Sequence, residues 1–140
     1  DSLNARVIIE RLKKLDDLIT KRRKLADIYL EKLHVLEEKG IIELPPKYST
    51  NSENISTFQN FEIKVMFRDK LINYLKSNNI STIKQWGGFS IAHFSKLGYD
   101  IKDFPNTEKL FDRLMLLPLN HLMTFEEVDF ISDKVLKFYI

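Results

Sequence analysis

Apolar residues recur along the first forty positions at Ile8, Leu12, Leu15, Ile19, Ala26, Tyr29, Leu33 and Leu36, the spacing of fours and threes that keeps one stripe on one side of a helix. Arg22 is the only interruption of that stripe. The pattern predicts a single helix from Asp1 to Lys39, capped by Asp1 or Ser2 and terminated by Gly40. Such a helix is on the order of 57 Å long at about 1.5 Å per residue, longer than a domain of this size is wide. Part of it must lean on something outside the rest of this chain, so it reads as a spine between two bodies.

Beyond Gly40 the period changes. Ile41 to Leu44 is a short apolar stretch closed by Pro45-Pro46, and Ser49 to Asn54 is polar enough for an exposed loop. Phe61, Ile63, Val65 and Phe67 then alternate with Glu62, Lys64 and Met66, the clearest strand pattern in the chain. Arg68-Asp69 opens a helix that runs through Leu71, Ile72 and Leu75 to a stop at Asn78-Asn79, and Ile80 to Ile83 reads as a further strand. At Gln85-Trp86-Gly87-Gly88 the periodicity gives way to a turn in which the backbone takes positive φ. Ile91 to Leu97 is expected to be a short helix closed by Gly98, and Glu108 to Leu114 another. Met115 to Leu119 is a short buried strand ended by Pro118. Thr124 and Glu127 form a capping box that starts a last helix, with Val128, Ile131, Val135 and Phe138 as its buried stripe. The class is therefore α+β: a long N-terminal helix (residues 1–40), then a small domain (residues 41–140) whose short, mainly antiparallel sheet is packed by helices.

Composition narrows the function classes. With 140 residues, 44% of them hydrophobic and ten Phe, the chain has enough apolar mass for one packed core, which argues against disorder. Absence of Cys excludes disulfides and thiolate metal sites. A net charge of +2 is too small to attract nucleic acid. Residues 1–40 hold all of that excess, ten Lys or Arg against eight Asp or Glu. The Lys21-Arg22-Arg23-Lys24 run reads either as an anion contact or as a solvated helical face flanked by Asp17 and Asp27. His34, His93 and His121 show no metal-binding spacing. No signal peptide and no run of about eighteen apolar residues is present, so a cytoplasmic location with no membrane partner is expected. The chain does not begin with Met, which points to a trimmed or partial protein.

The order of segments resembles a known family. Asp1-Ser2-Leu3-Asn4-Ala5, Arg11 to Asp16, and Lys21-Arg22-Arg23 with Ala26 and Tyr29 are similar to the domain-linking helix of the DegT/DnrJ/StrS-type sugar aminotransferases. Arg68-Asp69-Lys70-Leu71 with Leu75 and Ile80 looks like that family's "RD-x-L" helix and the strand after it. Phe104 to Glu108 looks like its "fP-x-tE", Leu116 to Leu119 its "sLPl", and Thr124 to Val128 its "Lt-x-eeV".

The resemblance implies a pyridoxal-phosphate enzyme of fold type I, a homodimer that moves an amino group, usually from glutamate, to a keto sugar carried on a nucleotide. It implies as well that the Schiff-base lysine and most cofactor ligands belong to an N-terminal domain not included in residues 1–140, so no catalytic or cofactor-binding residue is expected in this chain and alone it is expected to be inactive. Where many members carry "His-Tyr-Pro", this chain has Gln85-Trp86-Gly87, a "QWGG" variant with a later histidine corresponding to His93. Gln85, Trp86 and His93 are thus the candidate substrate contacts. In that role the Trp ring offers an apolar platform and the Gln amide offers donor and acceptor atoms to sugar hydroxyls. The alternative for Trp86 is a core or domain-packing aromatic. The alternative for the whole chain is a non-catalytic dimerisation or regulatory module built on the long helix.

Overall fold

A computed structural model of the chain describes residues 2–47 and 56–140. The predicted polar loop at Ser49–Asn54 and the Asp1 cap lie outside the described residues. The long helical run is two helices, not one: α1 (Ser2–Leu12) and α2 (Leu15–Glu38). They are separated at Lys13-Lys14, where Lys14 adopts φ −109° and its N–H bonds to Arg11 O at 3.1 Å, tightening the turn. Neither proline nor glycine demands the break. No residue of α1 is buried among the described residues.

The second half of α2 enters the core. Leu25, Ala26, Tyr29, Leu30, Leu33 and Leu36 are buried there, with Tyr29, Leu33 and Leu36 fully inaccessible. The helix ends as its sequence demands: Gly40 sits at φ +68°, its N–H bonds to Glu37 O at 2.8 Å, and Ile41 N–H bonds to Leu36 O at 3.0 Å. That turn delivers β1 (Ile42–Glu43) to the edge of a three-stranded antiparallel sheet in the order β1-β2-β3.

β2 (Phe61–Val65) is central, with Phe61, Ile63 and Val65 buried against the helices. It pairs with β3 (Leu114–Leu117) in the register Phe61 to Leu117 and Ile63 to Met115. The strand is shorter than its alternation predicts: Phe67 turns out of it at φ +55°, is 61% exposed, and caps α3 (Arg68–Ser77). The expected strand at Ile80–Ile83 reduces to one bridge, Ile83 to Leu116. Two 3₁₀ turns, Ile91–His93 and Ser95–Leu97, replace the short helix expected there. α4 (Pro105–Arg113) begins three residues earlier than the pattern places it, because Pro105 fits the first turn where no N–H is needed.

α5 (Phe125–Tyr139) starts on the predicted capping box: Thr124 Oγ1 accepts the Glu127 N–H at 3.2 Å, and Glu127 Oε2 accepts the Thr124 N–H at 2.8 Å. Val128, Ile131 and Val135 of α5 meet α2 in the core. Lys32 of α2 reaches Asp129 at 2.7 Å and Asp133 at 2.6 Å across the rim of that contact. Tyr29 stacks obliquely on Phe61 with ring centroids 4.7 Å apart, and its hydroxyl donates to Pro118 O at 2.9 Å. One side chain thereby joins helix, sheet and the turn after β3.

Candidate functional site

The segment from Ile83 to Phe104 carries large apolar side chains that the chain itself does not cover. Trp86 is 76% exposed, and Phe89, Ile91, Phe94 and Leu97 are exposed beside it in sequence. The positive-φ turn expected at Gln85–Gly88 is present: Trp86 lies at φ +53°, Gly87 at +69° and Gly88 at +83°. A bulky aromatic in the left-handed region is uncommon, and held strain of this kind clusters at functional sites. Gly87 N–H bonds to Lys84 O at 3.1 Å and Phe89 N–H to Trp86 O at 3.3 Å, so two tight turns define the tip. At Gly88 a Cβ would stand 3.3 Å from Lys84 Cδ, because the lysine stem lies across it.

Both ends of this tip are tied down. Lys84 Nζ reaches Asp69 Oδ1 at 2.8 Å, and the same oxygen accepts Arg68 Nε at 2.9 Å. Arg68 Nη1 in turn donates to Phe111 O of α4. Hydrogen bonds from Arg68 first and Lys84 second hold the Asp69 carboxyl below the ordinary aspartate range. At the other end Ser90, 2% exposed, donates its hydroxyl to Glu108 Oε1 at 2.6 Å. Its backbone N–H donates to His93 Nδ1 at 3.2 Å, and His93 Nε2 stands 3.6 Å from Glu108 Oε2.

Of the three expected contacts, Gln85 is half-buried in the turn, Trp86 projects from it, and His93 is linked to the turn through Phe89 and Ser90. The His93 ring meets Phe89 edge to face at 5.5 Å. Trp86 does not pack in the core of this chain. Sequence reasoning missed the supports, Ser90, Glu108, Arg68 and Asp69. Ser90 and His93 stand three apart, the spacing of a capping pair, and Glu108 follows Pro105 in the first turn of a helix; those were the available signals. Among the described residues no group of three metal-ligating side chains is present, and no helix is long and apolar enough to cross a membrane.

A match to the DegT/DnrJ/EryC1/StrS aminotransferase family runs over residues 1–136. The chain belongs to that family. Within the DegT/DnrJ/EryC1/StrS aminotransferases it is 30% identical over 139 residues to the 3-oxo-glucose-6-phosphate:glutamate aminotransferase of Bacillus subtilis, covering 95% of this chain and 30% of that protein. It is 26% identical over 135 residues to the dTDP-3-amino-3,6-dideoxy-alpha-D-galactopyranose transaminase of Aneurinibacillus thermoaerophilus, covering 96% of this chain and 35% of the relative. Of solved structures, NtdA of B. subtilis with bound cofactor PMP superposes with a TM-score of 0.76 at 28% identity, over 91% of this chain and 30% of that one. The fold is shared as well with S. venezuelae DesV in complex with a ketimine intermediate, at a TM-score of 0.81 and 22% identity over 94% of this chain and 34% of that one. The chain thus spans about a third of the length of the relatives it matches.

Proposed function

We propose that residues 1–140 form the small C-terminal part of a pyridoxal-phosphate-dependent, homodimeric, cytoplasmic aminotransferase that moves an amino group from glutamate to a nucleotide-linked keto sugar. In this reading residues 1–40 link domains and subunits, residues 41–140 are the small domain, and the tip at Gln85–Phe89 lines the sugar pocket. The observation that carries it is Trp86: an aromatic in left-handed backbone, exposed to 76%, on a turn pinned at both ends. A ring so presented is a platform waiting for an apolar face, and a sugar or base supplies one. The Gln85 amide beside it suits sugar hydroxyls, and His93 backs the tip.

Relatives' names support parts of this. One carries a dTDP-linked sugar, and another pairs a sugar phosphate with glutamate. The described residues do not themselves fit the cofactor. Pyridoxal phosphate calls for a lysine of lowered proton affinity beside a phosphate cradle. Here no described lysine is buried, and Lys32 is held above its ordinary value by the hydrogen bonds it donates to Asp129 and Asp133. The cofactor lysine is accordingly assigned to the part of the protein outside this chain, and no step of the transfer is assigned to residues 1–140.

The test is Trp86→Ala in the full-length protein, assayed with a dTDP-linked keto sugar and with a keto sugar phosphate. The expected result is a loss in kcat/KM worth about 1–3 kcal/mol with unchanged cofactor absorbance. Unchanged kinetics with both sugars would remove the tip from the pocket. A second reading, a non-catalytic dimerisation or regulatory module, is favoured by α1, whose apolar residues are all exposed. Cofactor absorbance and transamination by the full-length protein would end it.

A further inference from the structure

The tip at Gln85–Phe89 has no strand partner beyond the single Ile83 bridge, yet its backbone is held in three consecutive left-handed residues. Two carboxylates tie it down, Asp69 through Lys84 on one side and Glu108 through Ser90 on the other, and the second leads on to the aromatic rings of the tip. Glu108, in the first turn of α4, accepts the hydroxyl of the buried Ser90 at 2.6 Å and faces His93 Nε2 at 3.6 Å. His93 Nδ1 accepts the Ser90 backbone N–H at 3.2 Å and stands 3.0 Å from the Ser90 hydroxyl, which turns Nε2 toward Glu108. Nδ1 is thereby held by Ser90, and Nε2 faces the Glu108 carboxylate. The oriented ring meets Phe89 edge to face at 5.5 Å. Phe89 closes the turn through its bond to Trp86 O, and its ring is the nearest neighbour, at 3.6 Å, to where a side chain on Gly87 would begin. A continuous run of contacts therefore leads from Glu108 through Ser90 and His93 to Phe89 and the Trp86 backbone.

We infer that Glu108 is a positioning residue for the sugar-contacting tip, acting through Ser90, His93 and Phe89 and touching no ligand itself. The inference rests on the reading of the tip as part of the sugar pocket. Glu108 and Ser90 keep too little exposure to serve as open contacts: the Glu108 side chain is 21% exposed and Ser90 is 2% exposed. Loss of the carboxylate frees the Ser90 hydroxyl and removes the group that His93 Nε2 faces, so the Ser90–His93 support loosens and with it the presentation of Trp86, while the core built on β2, β3 and α5 is untouched.

The experiment is a double-mutant cycle in the full-length protein, read as KM and kcat for the keto sugar. Glu108→Ala is expected to raise KM about tenfold and leave kcat within about threefold, since misplacing a binding group weakens capture more than chemistry it does not touch. Glu108→Gln keeps an oxygen for the Ser90 hydroxyl and is expected to recover most of the loss. In a Trp86→Ala background Glu108→Ala is expected to add less than about twofold, because residues acting through one another are not additive. Ser90→Ala breaks the same link from the other side and carries the test if Glu108→Ala does not fold. A KM unmoved by Glu108→Ala and Ser90→Ala while Trp86→Ala raises it would overturn the positioning role alone, as would full additivity. A silent Trp86→Ala would overturn the pocket reading and the role of Glu108 with it.

Discussion

Two regions of this chain carry large apolar side chains at helical or turn spacing and differ in what covers them. From Leu25 to Leu36 the inward positions of α2 are buried by the sheet and α5. From Leu3 to Leu15 the same run keeps Val7, Ile8, Ile9 and Leu12 about half exposed, and Trp86, Phe89 and Phe94 are no better covered. Periodicity tells which face of a helix is apolar; it does not tell whether the partner for that face lies in the same chain. The contrast separates the apolar surfaces this chain covers from those it leaves exposed.

Breaking the buried side has the largest expected effect. Leu33→Ala should cost about 2–5 kcal/mol in denaturant unfolding, whereas Leu12→Ala should stay within about 0.5 kcal/mol. Equal costs would mean that α1 packs on its own chain. Next, the exposed stripe should drive self-association, and Ile8→Asp with Leu12→Asp should weaken it about tenfold or more by light scattering across a concentration range. A strictly monomeric parent chain would remove that expectation. A smaller loss, about 1 kcal/mol, is expected from Thr124→Ala, which uncaps the helix that covers α2. The smallest concerns the pin beneath the loop. The Asp69 carboxyl is held low by Arg68 and Lys84, so its contribution to stability is complete above the ordinary aspartate pKa of about 3.9 and is lost as pH falls through the lower folded value. The side chain is 63% exposed, which limits the effect to a few tenths of a kcal/mol, and Asp69→Asn should flatten that part of the acid unfolding curve.

Much of the fold is legible in the sequence. Gly40, the Thr124 and Glu127 pair, the β2 alternation up to Val65 and the positive-φ turn at Gln85–Gly88 are local devices, and local physics suffices to read them. The break at Lys13-Lys14 is not, since no residue there disfavours helix. Ile80–Ile83 has the composition of a strand but meets β3 at one residue only, so tertiary placement outweighed propensity. Family likeness directed attention to Gln85, Trp86 and His93. The residues that hold them, Glu108 and Asp69, are ordinary helix-start acids in sequence, and only their distances reveal what they hold.

The contact of α2 with α5 has a consequence in time. α2 finishes at Glu38, but α5, which packs on its inner face, does not begin until Phe125. During synthesis the stripe from Leu25 to Leu36 emerges well before α5 can complete its cover. Contacts so far apart in sequence close late and slowly, and an apolar face left open meanwhile is what chaperones bind. This chain is therefore expected to fold as one late event rather than helix by helix, most exposed to misassociation in the interval before α5 arrives.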